Sequence, residues 1–498
     1  MESLRTPIIL TCVTLYMVLC IGIGLWALRR TRSPRDFFMA GRNLGVLVTG
    51  IAIYSSLMSG FGFVGGPGLV YSMGMSSIWI VITTALGFAI SDFLVAKRLR
   101  LFAGLFDTIS LPDAVAARYG RESTRLLTAI AILLGVMGYL ATQILAMATV
   151  LQSILWNTTF ASEISLAACV VISCTVLVFY CVTGGIIAGV YTDLFQGIIM
   201  AVAGVLIFIT ALMAVDGGPV VATTLILEDN AESIGPWGTL GMLGCLSWFF
   251  MFAMGNAGQP HLLTKGMMIR QVRDYRYIPL VTVIGYTLTA LLWVGIGLVM
   301  RALVIQGTHP PLLTPDAAAP EFLQNYAHPL LAGIVIAGLF AAIMSTADGF
   351  LNIGAAAVVH DIPRALRGRP LNNELFWART ATVAIAVVAA LFALYSHYEN
   401  ARLVALLGVF GWGTFAAALV PTVAIGFNWK RATPLAANVA IVASLIVNFG
   451  IEVFDITLPH QIHGGTLALL LSLTLFFGIS LASKPPRLDP DIEAVMDL

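Results

Sequence analysis

Ala341-Ala342-Ile343-Met344-Ser345-Thr346-Ala347-Asp348 sets two hydroxyls and a carboxylate inside a long apolar run, with LLAGIVIAGLF before it and LNIGAAAVV after it. Such a run reads as a membrane-crossing helix, in which an ionisable group marks a functional site by default. Ala342, Ser345 and Thr346 fall at i, i+3 and i+4, so a carbonyl oxygen and two hydroxyl oxygens share one helix face. That all-oxygen set suits a hard cation. The competing reading has the hydroxyls bonding back to a carbonyl one turn earlier or across to a neighbouring helix. From this helix alone both readings stand.

Outward from it, the composition places the whole chain in the bilayer. Of 498 residues, 59% are hydrophobic and only 10% charged, and the mean hydropathy is +0.94, which describes a polytopic all-α membrane protein with no soluble domain. Cys12, Cys20, Cys169, Cys174, Cys181 and Cys245 all lie in apolar segments without CxxC or Cys/His spacing. They read as packing residues. The first apolar segment is too long for a signal-peptide core and lacks a small-residue cleavage site, so it is expected to persist as a span.

Apolar runs of about 20 residues predict thirteen spans, at 7–28, 46–73, 75–97, 124–155, 164–183, 191–213, 237–257, 278–303, 328–357, 376–396, 403–426, 433–452 and 464–482. With the N-terminus outside, every Lys and Arg but Arg5, Arg301 and Arg402 falls on the inner side. The positive-inside rule therefore predicts N-out, C-in, and the location expected is a plasma (inner) membrane. Ser110-Leu111-Pro112-Asp113 opens a short inner helix, with Ser110 as cap, Pro112 in the first turn, Asp113 at the positive end and Gly120 as the stop. The outer connectors near 214–236 and 304–327 are either lids or plain links. Asn157-Thr158-Thr159 matches a glycosylation sequon on that side, tight against a span.

Two segments look interrupted. Ser55-Ser56-Leu57-Met58-Ser59-Gly60-Phe61-Gly62 runs into Gly65-Gly66-Pro67-Gly68, and Met254-Gly255-Asn256-Ala257-Gly258-Gln259-Pro260 has the same character. Glycine alone would merely let helices pack closely. With proline in matching places five spans apart, the pattern favours unwinding within an inverted repeat, which leaves backbone groups free at a central site.

Taken together, DFFMAGRNLG, SSLMSGFGFVGGPGLVY, TGGIIAGVYTDLFQG, GQPHLL and AAIMSTAD make the chain similar to the sodium/solute symporter family, and most to its sodium/proline branch, from Asp36 to the last span. The resemblance implies a leucine-transporter-type five-plus-five inverted-repeat core over about 46–426, with 7–28, 433–452 and 464–482 peripheral, in a single transporter domain spanning 1–498. It implies sodium as coupling ion, held by carbonyls of Ser55, Met58 and Ala342 and hydroxyls of Ser345 and Thr346, and it matches Asp193 to an acidic position on the inner sodium route. Asp193 reads equally as a cap or a partner for an inner arginine. Asp348, two residues past Thr346, points off the ion face and reads as structural. Where Leu57, Phe61, Phe252 and Asn256 stand, proline-carrying members have Asp, Trp, Trp and Tyr, so the solute pocket departs from theirs. Gln143, Asn256 and Trp412 remain to face a cavity walled by Phe61 and Phe252.

The function expected is sodium-coupled import of a small polar organic solute, an amino acid such as proline or a short carboxylic acid, by alternating access. The alternative is a transporter-like solute sensor, which would need an output domain where only 483–498 follow the last span. A channel would line a pore with charged rings or carbonyls. No nucleophile, base and orienting group can be assembled, so no enzyme is expected. The partners expected are solute, sodium and lipid bilayer, without nucleic acid or an obligate protein partner.

Overall fold

The computed structural model describes residues 5–156, 163–400 and 404–497. The sequon at Asn157, Arg402 and the side chain of Phe61 lie outside the described residues. Every regular element among those described is helical, apart from one parallel bridge between Leu44 and Ile269. Eleven helices are long and apolar enough to cross a membrane, and Val46–Leu57 and Leu166–Phe179 are shorter apolar helices. This is a multi-pass membrane protein.

Burial separates centre from rim. In the apolar window of Gly408–Ile425, 94% of residues are buried inside the protein, and in that of Pro329–Arg367, 83%; for Arg5–Leu28 the share is 22%. The buried Pro329–Arg367 carries Ser345, Thr346, Asp348 and Asn352 out of contact with lipid. The six cysteines are free.

Among the boundaries that differ from the expected ones, two bear on the site. The fifth and sixth apolar segments join in one helical run, Leu166–Ala214, interrupted only at Gly185 (φ 52°, ψ −157°). The loop expected over 184–190 does not form, because a single glycine in a conformation closed to L side chains makes the change of direction. The seventh segment does not end at 257. Gly241–Gly255 passes through a 3-10 turn, Asn256–Gly258, breaks at Gln259 (φ −79°, ψ 107°), and resumes as Pro260–Met267. Pro260 cannot continue the incoming helix but is suited to start the next one.

The second segment is broken as well. Val46–Leu57 stops at Met58 (ψ 69°), and the chain resumes through a π-helical turn, Phe61–Gly65, into Gly66–Met73. The connectors near 214–236 and 304–327 each carry a helix, Gly218–Asp229 and Ala318–Asn325, and the second connector packs onto Gly66–Met73, where a Cβ at Gly68 would lie 2.9 Å from the Pro315 carbonyl oxygen. At the charged end of the bundle, Leu111–Tyr119 forms with Ser110 Oγ accepting the Asp113 N–H at 3.1 Å and Gly120 left-handed at φ 63°.

Candidate functional site

The break after Leu57 brings the second segment against Pro329–Ala356. Thr346 Oγ1 donates to the Ser56 carbonyl and shares its hydrogen with the Ala342 carbonyl, each 2.9 Å away. Ser345 Oγ donates to Asp193 Oδ1 on Leu166–Ala214. Ala342, Ser345 and Thr346 thus share a face, as their spacing requires, and the face is closed by a buried carboxylate and a carbonyl from the broken helix. The carbonyl that meets Thr346 is that of Ser56, while the Ser55 hydroxyl turns back to the Ala52 carbonyl at 3.3 Å. Met58 caps Val46–Leu57 through its N–H to the Tyr54 carbonyl.

Lys265 is the residue that sequence reasoning misplaced. Counted among the inner basic residues of a loop, it is instead carried into the protein by Pro260–Met267, and its ammonium lies 2.7 Å from Asp193 Oδ2 with both side chains buried. It also donates to Ser56 Oγ and to the Ala52 carbonyl at 3.4 Å. The partner of Asp193 is therefore neither a helix end nor an inner arginine. The available signal was the proline five residues earlier, which starts a new turn of helix rather than ending the segment. Asp348 makes no hydrogen bond to this group, and its Oδ2 packs against Gly189, but it lies close enough for its charge to act on both Asp193 and Lys265.

The second group spans both breaks, with Gln143 at the one in the second segment and the others at the one in the seventh. Gln143 Oε1 accepts the Gly60 N–H at 2.9 Å, satisfying a donor that the interrupted second segment leaves free. Gly60 is required there, since a Cβ would meet Ala146 at 2.5 Å. Asn256 Nδ2 reaches the Thr84 carbonyl at 3.4 Å while its Oδ1 is unpartnered. The Phe252 and Trp412 rings lie 5.1 Å apart, and Trp412 Nε1 also lacks a partner. Gln143, Asn256, Phe252 and Trp412 are all buried. Gln259 Oε1 and both ring nitrogens of His261 are likewise buried and unpartnered. These two flank Pro260 and were missed, because the sequence marks the break without saying which side chains it turns inward. Unpaired buried polar atoms are costly and scarce in folded proteins, so their concentration around the break leaves bonding capacity for a polar ligand.

Residues 37–445 match the sodium:solute symporter family. The chain belongs to that family. Sodium is the coupling ion, and sodium-coupled symport is the activity that membership of this family supports. Among curated proteins, a sodium/proline symporter of Staphylococcus aureus is 27% identical over 447 residues, covering 87% of this chain and 84% of the relative. Among solved structures, the substrate-bound outward-open state of a Na+-coupled sialic acid symporter superposes with a TM-score of 0.76 at 17% identity, covering 96% of this chain and 99% of that one. Mhp1, a nucleobase-cation-symport-1 family transporter in a closed conformation, superposes with a TM-score of 0.57 at 14% identity, covering 93% and 98%. At these identities the two structures speak for the fold alone.

Proposed function

We propose that this family member imports a small polar organic solute, an amino acid such as proline or a short carboxylic acid, with sodium bound beside the break in the second segment. The observation that carries the reading is the Ala342–Ser345–Thr346 face closed by Asp193 and the Ser56 carbonyl. It offers hard oxygens and one negative charge in the buried centre of the bundle, where a cation without such ligands would be expelled. The Ser55 and Met58 carbonyls, next to the break, belong to the same candidate ligand set. Gln143, Asn256, Phe252, Trp412 and Phe61 are the candidate solute residues, joined by Gln259 and His261.

The architecture that fits this reading has thirteen crossings, an inverted five-plus-five repeat over about 46–426, and 7–28, 433–452 and 464–482 outside it, with the N-terminus outside a plasma membrane. Each repeat opens on a broken helix, so the two breaks flank one central site. Uptake of labelled amino and short carboxylic acids into proteoliposomes, with an inward sodium gradient and with choline in its place, tests the reading. Accumulation of one compound that needs the gradient is expected; uptake of none of them, or uptake indifferent to sodium, refutes it.

A further inference from the structure

A lysine beside a cation site changes what sodium must do to bind. Lys265 Nζ is surrounded by three oxygens, those of Asp193 (Oδ2, 2.7 Å), Ser56 (Oγ) and Ala52 (carbonyl, 3.4 Å), which match the three donors of an ammonium. Its side chain is 2% exposed and that of Asp193 0%. The other oxygen of the same carboxylate takes the Ser345 hydroxyl, and the carbonyl of the same Ser56 takes the Thr346 hydroxyl. The ammonium and the proposed ion face therefore share one negative charge and one serine.

We propose that Lys265 is a tethered cation that occupies Asp193 when sodium is absent, and that sodium binds by taking this carboxylate over from it. The inference rests on the sodium-site reading above. Lys265 then sets sodium affinity: the ion must approach a fixed positive charge only a few ångströms away in a poorly screened interior, and must dislodge it from its best partner. It also sets the charge of the empty carrier. With the ammonium in place the unloaded site is neutral, so the protein can reorient without carrying a bare carboxylate through the membrane.

Binding of radioactive sodium to the purified full-length protein, read as half-saturating concentration, tests this with Lys265→Met, Lys265→Arg and Ser345→Ala beside the wild type. A carboxyl deprived of its cation protonates more readily, so all are compared at pH 8.5. Lys265→Met is expected to bind sodium on the order of tenfold to a hundredfold more tightly, and Lys265→Arg, which keeps the charge, to stay near the wild type. Unchanged or weaker binding in folded Lys265→Met overturns the proposal. Melting temperatures in sodium and in choline guard against a folding defect. Lys265→Met protein stabilised by sodium more than the wild type is supports the tethered cation, whereas equal loss in both salts assigns the pair a purely structural role and overturns it. Ser345→Ala separates the two readings: unchanged sodium binding in that variant fails the site itself, while weakened binding there with no gain in Lys265→Met fails only the competition.

Discussion

Replacing Ser345 by alanine removes one oxygen from the ion face without altering its backbone, and the structure indicates what the loss costs. In the empty protein the hydroxyl donates to Asp193 Oδ1. With sodium bound the same hydrogen can still point at the carboxylate while a lone pair faces the ion, so the donor bond is present in both states and cancels. The ion–oxygen contact does not cancel. Contacts between a charge and a neutral hydroxyl in a buried site are worth about 1.5 to 3 kcal/mol, which corresponds to roughly a tenfold to hundredfold change in affinity. Ser345→Ala should therefore raise the half-saturating sodium concentration for uptake by about that factor, leaving membrane insertion intact.

Thr346 supplies the control. Its hydroxyl bridges the Ser56 and Ala342 carbonyls, so Thr346→Ala should act like Ser345→Ala, and Thr346→Ser, which keeps the oxygen, should stay close to the wild type. The assay is initial solute uptake into proteoliposomes at varied external sodium, with reconstituted protein quantified by immunoblot. Wild-type sodium dependence in both alanine variants would show that these oxygens do not hold the ion, and the ligand set would have to be sought elsewhere.

Asn256→Ala and Gln143→Ala should weaken solute affinity more than sodium affinity, by about 1 to 3 kcal/mol for a polar group left unpaired on the solute, and Trp412→Ala should do the same by removing a wall that packs beside Phe252; unchanged half-saturation in all three clears them from the pocket. Ala342 offers a carbonyl and no hydroxyl, so a second ion nearby would lack a ligand and one sodium should move per solute; one charge across ~100 mV supports roughly fifty-fold accumulation of a neutral solute, and a reversal potential that reports two ions refutes this. Asp113→Asn should destabilise the protein by about 3 to 5 kcal/mol, the cost of breaking a buried ion pair, because Asp113 faces Arg125, His360 at 3.2 Å and Arg364 at 3.2 Å. Burial would raise the Asp113 carboxyl, but the hydrogen bond and charge of His360 and the charge of Arg125 outweigh it and hold it well below the usual carboxylate range. Its contribution is then complete above the unfolded value of about 3.9 and lost as pH falls from there through the lower folded value, so the melting-temperature gap between wild type and variant should be constant from neutral pH down to about 5 and close only under acid. A gap that closes nearer neutrality contradicts the assignment.

How far the sequence carried can be judged residue by residue. Periodicity alone put Ala342, Ser345 and Thr346 on one face, because side-chain direction along a helix repeats regardless of what packs against it. Breaker chemistry likewise located both interruptions and the Ser110–Gly120 helix, since proline and glycine act on the backbone over one or two residues. It could not tell whether the chain resumes as helix after Pro260, and with that it lost Lys265. Gln259 and His261 went unnoticed for the same reason.

The sequence by itself determined that the chain crosses a membrane many times, where its helices break and which face of Pro329–Ala356 is polar; these depend on local hydropathy, local backbone limits and fixed helical spacing. Only the tertiary structure decided that Asp193 takes Ser345 on one oxygen and Lys265 on the other, that Ser56 rather than Ser55 meets Thr346, and that Gln143 answers the N–H freed at Gly60. Those pairings join residues 72 to 290 positions apart. Which partner a buried polar group finds is set by how whole helices pack, and helix packing depends on side-chain shape summed over every contact, which no local pattern encodes.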